Sequence, residues 1–145
     1  MRRVLFICTG NTCRSPMAEA LFNQRAAKTG LPWRAASAGL MAAGEPLSTG
    51  ARRALQSRGL EIAGHRARMV NGQMISEADL VLCMTATQAQ ALQSQYPEAA
   101  IATLDKRDIA DPYGSGQNAY DLAAEQIDRS LDRLFQSLSE RNKHE

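Results

Sequence analysis

Short apolar runs divide the sequence into candidate β-strands. Val4 to Ile7 is a continuous apolar run that ends just before Gly10, and residues 78–84 (ADLVLCM) form a second run of this kind. Continuous runs of this length are typical of strands that are buried on both faces of a parallel sheet. Residues 33–38 and 101–104 predict two further strands, so the sequence predicts four strands in total.

Apolar residues at helical spacing predict a helix after each strand. The first helix is expected to begin near Pro16, with Ser15 as its N-cap residue, and to end at Gly30. Residues 46–58 place four apolar side chains on one helical face and predict a second helix. Gly59 follows directly and is its expected C-cap residue.

The second half of the chain predicts two more helices. Thr85 and Gln88 form a capping-box signature at the start of a helix over residues 86–96. Residues 105–118 are rich in Asp, Gly and Pro and predict a surface loop. A long amphipathic helix follows this loop, and we expect the tail at 139–145 to fray. The apolar face of the long helix is predicted to contain Leu122, Ile127, Leu131, Leu134, Phe135 and Leu138.

The alternation of strands and helices defines the expected fold. It predicts a single doubly wound α/β domain over residues 1–145, with a four-stranded parallel sheet flanked by helices. Functional loops of such domains lie at the carboxyl ends of the strands. The loop that begins at Cys8 follows the first strand and therefore lies at such an end.

Composition and charge narrow the functional classes. The chain has 17 basic and 15 acidic residues, a net charge of +2 that is too balanced to indicate nucleic-acid binding. Val4 to Ile7 is shorter than the ~7–15 apolar residues of a signal peptide, and no segment has transmembrane length. Three cysteines without framework spacing favour a reducing compartment. We therefore expect a cytoplasmic protein that binds neither nucleic acid nor membranes. We also expect a monomer or weak dimer, although composition and charge do not determine the oligomeric state.

The loop between the first strand and the first helix has the chemistry of an oxyanion site. Cys8 and Arg14 are separated by five residues, so the loop can point its backbone N–H groups inward at a helix N-terminus. Arg14 can donate two hydrogen bonds to two phosphoryl oxygens. The same donors, with the Ser15 hydroxyl, favour the thiolate of Cys8 and make it a nucleophile. Gly10 and Asn11 suit the unusual backbone angles that such a loop requires.

Other interpretations of this loop fit the sequence less well. A Walker-type phosphate loop needs Gly-Lys-Ser/Thr, which is absent here. The spacing between Cys8 and Cys13 could suggest zinc, but no second Cys or His pair accompanies it, so we predict no metal. A lone cysteine can also be a buried apolar residue. We interpret Cys83, within the apolar run LVLCM, in that way.

Residues 6–22, FICTGNTCRSPMAEALF, resemble the signature of the low-molecular-weight protein tyrosine phosphatases. The segments ASAGL, GHRAR, ADLVLCM and DPYG resemble later landmarks of that family in the same order. The resemblance implies that Cys8 forms a phosphocysteine intermediate, that Arg14 binds the phosphoryl group and that Asp111 is the general acid and then the base. It implies phosphorylated proteins as substrates and no cofactor. The phosphate-binding loop would then contain Thr9, Gly10, Asn11, Thr12, Cys13 and Ser15, of which Asn11 and Ser15 support its shape.

The chemistry of the reaction also indicates Asp111 as the general acid. Expelling an alkoxide, phenolate or guanidine requires a proton, which a carboxylic acid near the leaving atom can give. Asp105, Asp108 and Asp111 lie in the same predicted loop. Asp111 is the best candidate because Pro112 restrains it toward an extended conformation, while Tyr113 can provide an aromatic wall for the substrate.

Thr12 bears on which phosphorylated side chain is the substrate. Many tyrosine-specific members carry isoleucine or leucine at this position, whereas CTGNTCRSPMAE resembles the bacterial protein arginine phosphatases, where threonine favours phosphoarginine. The threonine hydroxyl can form a hydrogen bond with a polar guanidinium phosphoramidate. We therefore predict phosphoarginine, with phosphotyrosine as the alternative. Thr12, Leu40 and Tyr113 are predicted to line the substrate pocket.

Several alternatives remain open. The resemblance makes a reversible disulfide between Cys8 and Cys13 a hypothesis, and an inert packed thiol is its alternative. Thioredoxin-coupled arsenate reductases have a similar cysteine loop but need a further cysteine pair beyond the middle strand, where only Cys83 is present. A non-catalytic phosphate-binding module is a further alternative. We interpret His65 as a structural or surface residue and His144 as part of the tail.

Overall fold

Four parallel strands form the centre of the computed structural model, which describes residues 1–143. The sheet order is β2-β1-β3-β4, and β1 pairs with β2 along its whole length, from Arg2 opposite Trp33 to Cys8 opposite Gly39. This arrangement confirms the predicted α/β fold with a four-stranded parallel sheet. The strands are β1 (Arg2–Cys8), β2 (Trp33–Gly39), β3 (Leu80–Cys83) and β4 (Ile101–Thr103).

Five helices surround the sheet within residues 1–143, one more than the sequence predicts. They are α1 (Arg14–Thr29), α2 (Thr49–Gln56), α3 (Gly72–Glu77), α4 (Ala86–Gln95) and α5 (Gln117–Lys143). The unpredicted helix is α3, which has six residues and buries only Ile75. It therefore lacks an apolar period. Its start is fixed by Asn71, whose side chain accepts a hydrogen bond from the backbone N–H of Met74.

Two predicted helix starts are wrong. Ser15 is not an N-cap residue, because α1 begins at Arg14 and Cys13 occupies the N-cap position without a side-chain hydrogen bond. The Ser15 hydroxyl contacts the Cys8 sulfur instead. Helix α2 begins three residues later than predicted because the side chain of Ser48 accepts a hydrogen bond from the backbone N–H of Ala51.

Some of the other predictions about the helices are confirmed, and some are wrong. Gly30 ends α1 in a left-handed conformation with φ 71°, and the capping box of Thr85 and Gln88 is present, so both predictions are confirmed. The tail does not fray at residue 139, since α5 continues to Lys143. His144 lies outside the described residues. Leu122 does not belong to the apolar face of α5, because it is 56% exposed.

Two apolar cores lie on opposite faces of the sheet, and β1 contributes to both. Val4, Phe6 and Cys8 pack in the core formed with α1, α2 and α5. Leu5 and Ile7 point to the opposite face and pack with side chains of α3 and α4. This two-sided burial explains the continuous apolar run, and it places the sulfur of Cys8 on the α1 side at the carboxyl end of β1.

Candidate active site

The loop between β1 and α1 curls around the sulfur of Cys8. The Ser15 hydroxyl oxygen lies 2.9 Å from this sulfur, and the backbone N–H of Asn11 donates to it at 3.3 Å. Cys8 itself is only 1% exposed. The sulfur therefore lies among hydrogen-bond donors at the N-terminus of α1, where negative charge is favoured.

Asn11 holds the shape of this loop. It adopts a left-handed backbone conformation with φ 55°, which asparagine tolerates better than most residues. Its buried amide donates to the hydroxyls of Ser15 at 2.8 Å and Ser37 at 3.0 Å. Its side-chain oxygen accepts from the backbone N–H of Arg68 at 3.0 Å, and its carbonyl accepts from Nε2 of His65 at 2.8 Å. One residue thus connects the loop to β2 and to the segment that follows α2.

The sequence alone does not indicate which residues support Asn11 and the cysteine loop from a distance. Ser37 donates its hydroxyl to Glu19 at 2.7 Å, and its carbonyl accepts from Nε of Arg68 at 3.0 Å. Gln88 donates to the hydroxyl of Thr9 at 3.0 Å. Ser37 lies in ASAGL and Arg68 in GHRAR, segments that carry the family resemblance, but their partners become visible only in three dimensions. The contact with Asn11 favours the structural one of the two interpretations of His65.

The end of β2 passes very close to the cysteine loop. A Cβ atom at Gly39 would lie 2.7 Å from the carbonyl oxygen of Thr9 and 3.1 Å from the backbone nitrogen of Asn11. Only glycine leaves room for this approach. Beyond it, the backbone N–H of Leu40 donates to the carbonyl of Cys8 at 3.1 Å.

A cavity of about 530 Å³ opens above the cysteine loop. Thr12 and Tyr113 line it, and Tyr113 is 77% exposed at its rim. Leu40, the third predicted pocket residue, does not line this cavity. Its side chain packs against the core on the α3 side of the sheet, because it continues the alternation of Ala36 and Ala38 in β2.

Arg14 lies at the buried end of the cavity and is only 4% exposed. Its Nη1 donates to the carbonyl of Ile109 at 2.9 Å, and its Nη2 lies 3.6 Å from a carboxylate oxygen of Asp111. Its Nε is buried and has no hydrogen-bond partner within residues 1–143. Buried donors are nearly always paired in native proteins. A buried cation with an unpaired donor therefore marks the place where an anion can bind.

The three aspartates of the loop before α5 have different surroundings. Asp105 accepts hydrogen bonds from the Ser130 hydroxyl at 2.6 Å and from Arg133 at 3.1 Å. Asp108 accepts from the backbone N–H at the start of α4 at 2.9 Å. Of the three, Asp111 lines the cavity, and its side chain is 54% exposed. It accepts from the backbone N–H of Tyr113 at 3.1 Å, which orients the carboxylate.

The other two cysteines are buried thiols. Burial, with the neighbouring Cys8, raises the pKa of Cys13 to about 11, so this thiol is neutral at pH 7. Burial raises the pKa of Cys83 to about 12, and this side chain packs in the core on the α3 side, as predicted. Cys13 lines the cavity beside Arg14 as a reduced thiol.

The described part of the chain meets neither the requirements of a membrane-spanning helix nor those of a metal site. None of its helices combines the length and apolar character needed to cross a membrane. Within residues 1–143, no group of three or more His, Cys, Asp or Glu side chains is arranged to hold a metal ion.

In this site a cysteine sulfur contacts hydrogen-bond donors and lies beside a buried arginine, at the carboxyl edge of a parallel sheet. This arrangement is characteristic of enzymes that bind a phosphoryl group covalently on sulfur. The fold and the site thus define a cysteine-dependent phosphatase. The family model described as low molecular weight phosphotyrosine protein phosphatase matches residues 3–144, and the chain belongs to that family. This match confirms the resemblance that residues 6–22 carry.

Relatives of the chain include phosphatases with two different named substrates. It is 37% identical over 146 residues to a protein-arginine-phosphatase of Geobacillus stearothermophilus, covering 94% of this chain and 95% of that protein. It is 36% identical over 137 residues to a probable low molecular weight protein-tyrosine-phosphatase, EpsP, of Ralstonia nicotianae, covering 91% and 92%.

A solved structure adds a chemical detail. The chain is similar to a mutant of the YwlE arginine phosphatase that has a phosphorylated serine in its active site. The identity is 31%, the TM-score is 0.92, and the match covers 99% of both chains.

Proposed function

We propose that Cys8 is the nucleophile of this phosphatase and that it forms a phosphocysteine intermediate. The Cys8 sulfur attacks phosphorus, the S–P bond forms, and the bond from phosphorus to the leaving atom breaks. Asp111 gives its proton to that leaving atom. The Asp111 carboxylate then takes a proton from water, which attacks phosphorus and releases inorganic phosphate and the Cys8 thiolate.

Arg14 and the loop N–H groups have the electrostatic role in both steps. The unpartnered Nε of Arg14 is the observation that carries this proposal, because it supplies a fixed donor where charge develops on the phosphoryl oxygens. Support also comes from the phosphorylated active-site serine of the YwlE mutant, since a serine in place of the nucleophile would retain the phosphoryl group.

Turnover of para-nitrophenyl phosphate tests the proposal. We expect release of inorganic phosphate without any added cofactor, with vanadate as a competitive inhibitor. A protein that binds phosphate or vanadate but releases no para-nitrophenol would instead be a non-catalytic phosphate-binding module. A reaction that requires thioredoxin and arsenate would favour the arsenate reductase alternative.

For the substrate, we infer phosphoarginine in proteins, with phosphotyrosine as the alternative. Thr12 lines the cavity. Its hydroxyl can form hydrogen bonds with a polar guanidinium phosphoramidate, which an aromatic ring cannot form in the same way. Relatives named for each activity have nearly equal identity to this chain, so the inference depends on the pocket.

Replacing Thr12 with isoleucine tests this inference. We expect the ratio of kcat/KM on phosphoarginine peptides to that on phosphotyrosine peptides to fall about tenfold or more, because an apolar group replaces the hydroxyl. Thr87→Ile, an exposed position on α4, is the matched control and should leave the ratio unchanged. Native protein that prefers phosphotyrosine, with no change on Thr12→Ile, would show that the substrate assignment is wrong.

The remaining expectations stay predictions. They are a cytoplasmic location, a monomer or weak dimer that binds neither nucleic acid nor membranes, and a domain that spans residues 1–145. The reversible disulfide between Cys8 and Cys13 also stays a prediction. Its chemistry requires an oxidant that reaches the Cys8 thiolate first, since the Cys13 thiol is neutral at pH 7.

A further inference from the structure

The cavity above Cys8 has an uneven distribution of charge. Its buried end contains the cation Arg14, and its lining also includes two carboxylates, Glu45 and Asp111. Among the described residues that line it, there is no lysine and no second arginine. A substrate that enters therefore meets positive charge at its phosphoryl end and two acidic side chains, Glu45 and Asp111, elsewhere on the lining.

Glu45 is held in place at this lining by the backbone of its own segment. A carboxylate oxygen of Glu45 accepts from the backbone N–H of Ala43 at 2.6 Å. The carbonyl of Glu45 accepts from the N–H of Ala67, and the N–H of Gly44 donates to the carbonyl of Ala67, both at 2.8 Å. Hydrogen bonds from the backbone N–H groups of Ala43 and Glu45 lower the pKa of this carboxyl group, so it is ionised at neutral pH.

The two candidate substrates differ in what they present to this carboxylate. A phosphoarginine side chain keeps a positive guanidinium group with several N–H donors, whereas a phosphotyrosine side chain presents a neutral ring. Carboxylates pair with guanidinium groups through charge-assisted hydrogen bonds. They offer nothing comparable to an aromatic ring, and they repel the phosphoryl dianion.

Asp111 cannot supply this pairing throughout the reaction. In the proposed mechanism it gives its proton to the leaving nitrogen, so its charge changes between the two steps. Glu45 has no part in the proton transfer and keeps its charge. We propose that Glu45 is a specificity-determining residue whose carboxylate binds the guanidinium group of a phosphoarginine substrate, an inference that rests on the function proposed above.

The test compares kcat/KM of the native protein and of Glu45→Gln on phosphoarginine peptides, phosphotyrosine peptides and para-nitrophenyl phosphate. Glutamine keeps the size of the side chain and an oxygen acceptor for the N–H of Ala43 but removes the charge. We expect about a two- to fivefold loss on phosphoarginine, since Glu45 is exposed and its pair with the guanidinium group is partly screened by solvent. On the other two substrates, we expect no loss.

Reversing the charge at Glu45 and changing the ionic strength provide two further tests of the same pairing. Glu45→Lys should lower kcat/KM on phosphoarginine further and raise it on phosphotyrosine and para-nitrophenyl phosphate, because lysine attracts the dianion and repels the guanidinium group. The difference between native protein and Glu45→Gln should shrink as salt is raised from about 0.05 M to about 0.5 M, because the Debye length falls several-fold.

Glu98→Gln is the matched control. Glu98 is exposed and lies between α4 and β4, outside the cavity, so the same change in net charge should have no effect on any substrate. An equal loss on all three substrates with Glu45→Gln, or no loss on phosphoarginine, would overturn the role of Glu45 while the phosphoarginine assignment stands. Native protein that prefers phosphotyrosine would overturn that assignment itself, and this role with it.

Discussion

Cys8→Ser should abolish turnover while the site continues to bind oxyanions. We expect kcat on para-nitrophenyl phosphate to fall on the order of 10⁴-fold or more, because an alcohol is a far weaker nucleophile than a thiolate at neutral pH. Oxyanion binding should persist, since Arg14 and the backbone N–H of Asn11 are unchanged. Steady-state kinetics measure the first quantity, and calorimetric titration with phosphate or vanadate measures the second.

Cys83→Ala is the control for this experiment. Cys83 is also a buried thiol, but it packs in the core on the α3 side of the sheet and does not line the cavity. The Cys83→Ala variant should therefore retain most of its turnover. If Cys8→Ser remained active, or if Cys83→Ala lost activity while folded, the nucleophile would be misassigned.

Asp111→Asn should slow the reaction by an amount that depends on the leaving group. The asparagine amide keeps the size of the side chain but cannot give up a proton. For substrates with poor leaving groups, we expect kcat to fall about 10²- to 10³-fold, within the usual range for the loss of a general acid. For para-nitrophenyl phosphate the loss should be smaller, because the para-nitrophenolate ion leaves without full protonation. A series of aryl phosphates measures the dependence.

Asp108→Asn makes a matched control on the same loop. Asp108 accepts a hydrogen bond from the N–H of Ala86 at the start of α4, and asparagine can accept the same bond. This variant should therefore retain turnover with an unchanged dependence on the leaving group. A uniform loss for Asp111→Asn across all leaving groups would contradict a role in proton transfer and would indicate a role in binding instead.

The central elements of the fold were predictable because their signals are local. The apolar run of β1 and the cysteine loop after it are contiguous in sequence, so the strand, the nucleophile and Arg14 follow from a few residues. Helix α3 has no such signal, because it is short and buries only Ile75. Ser15 resembles an N-cap residue locally, but its contact with the Cys8 sulfur determines where it lies.

The supporting contacts of the site were not predictable in the same way. Ser37 and Arg68 reach Asn11 across 26 and 57 residues of sequence, and no local pattern indicates which side chains will meet. Glu45 lies in a segment with no regular period, so its place on the cavity wall depends on backbone bonds to Ala67. The side on which Leu40 lies follows instead from the alternation of β2, which places Ala36, Ala38 and Leu40 in the core on the α3 side of the sheet.

The close approach of Gly39 to Thr9 has a consequence for substrate binding. Because not even a methyl group fits between the two backbones, β2 restrains the cysteine loop at Thr9 and Asn11 before a phosphoryl group arrives. The donors are preorganised by the sheet itself, so little of the binding free energy is consumed in ordering them. Small inorganic oxyanions that resemble phosphate should therefore bind to donors that are already in position in the free protein.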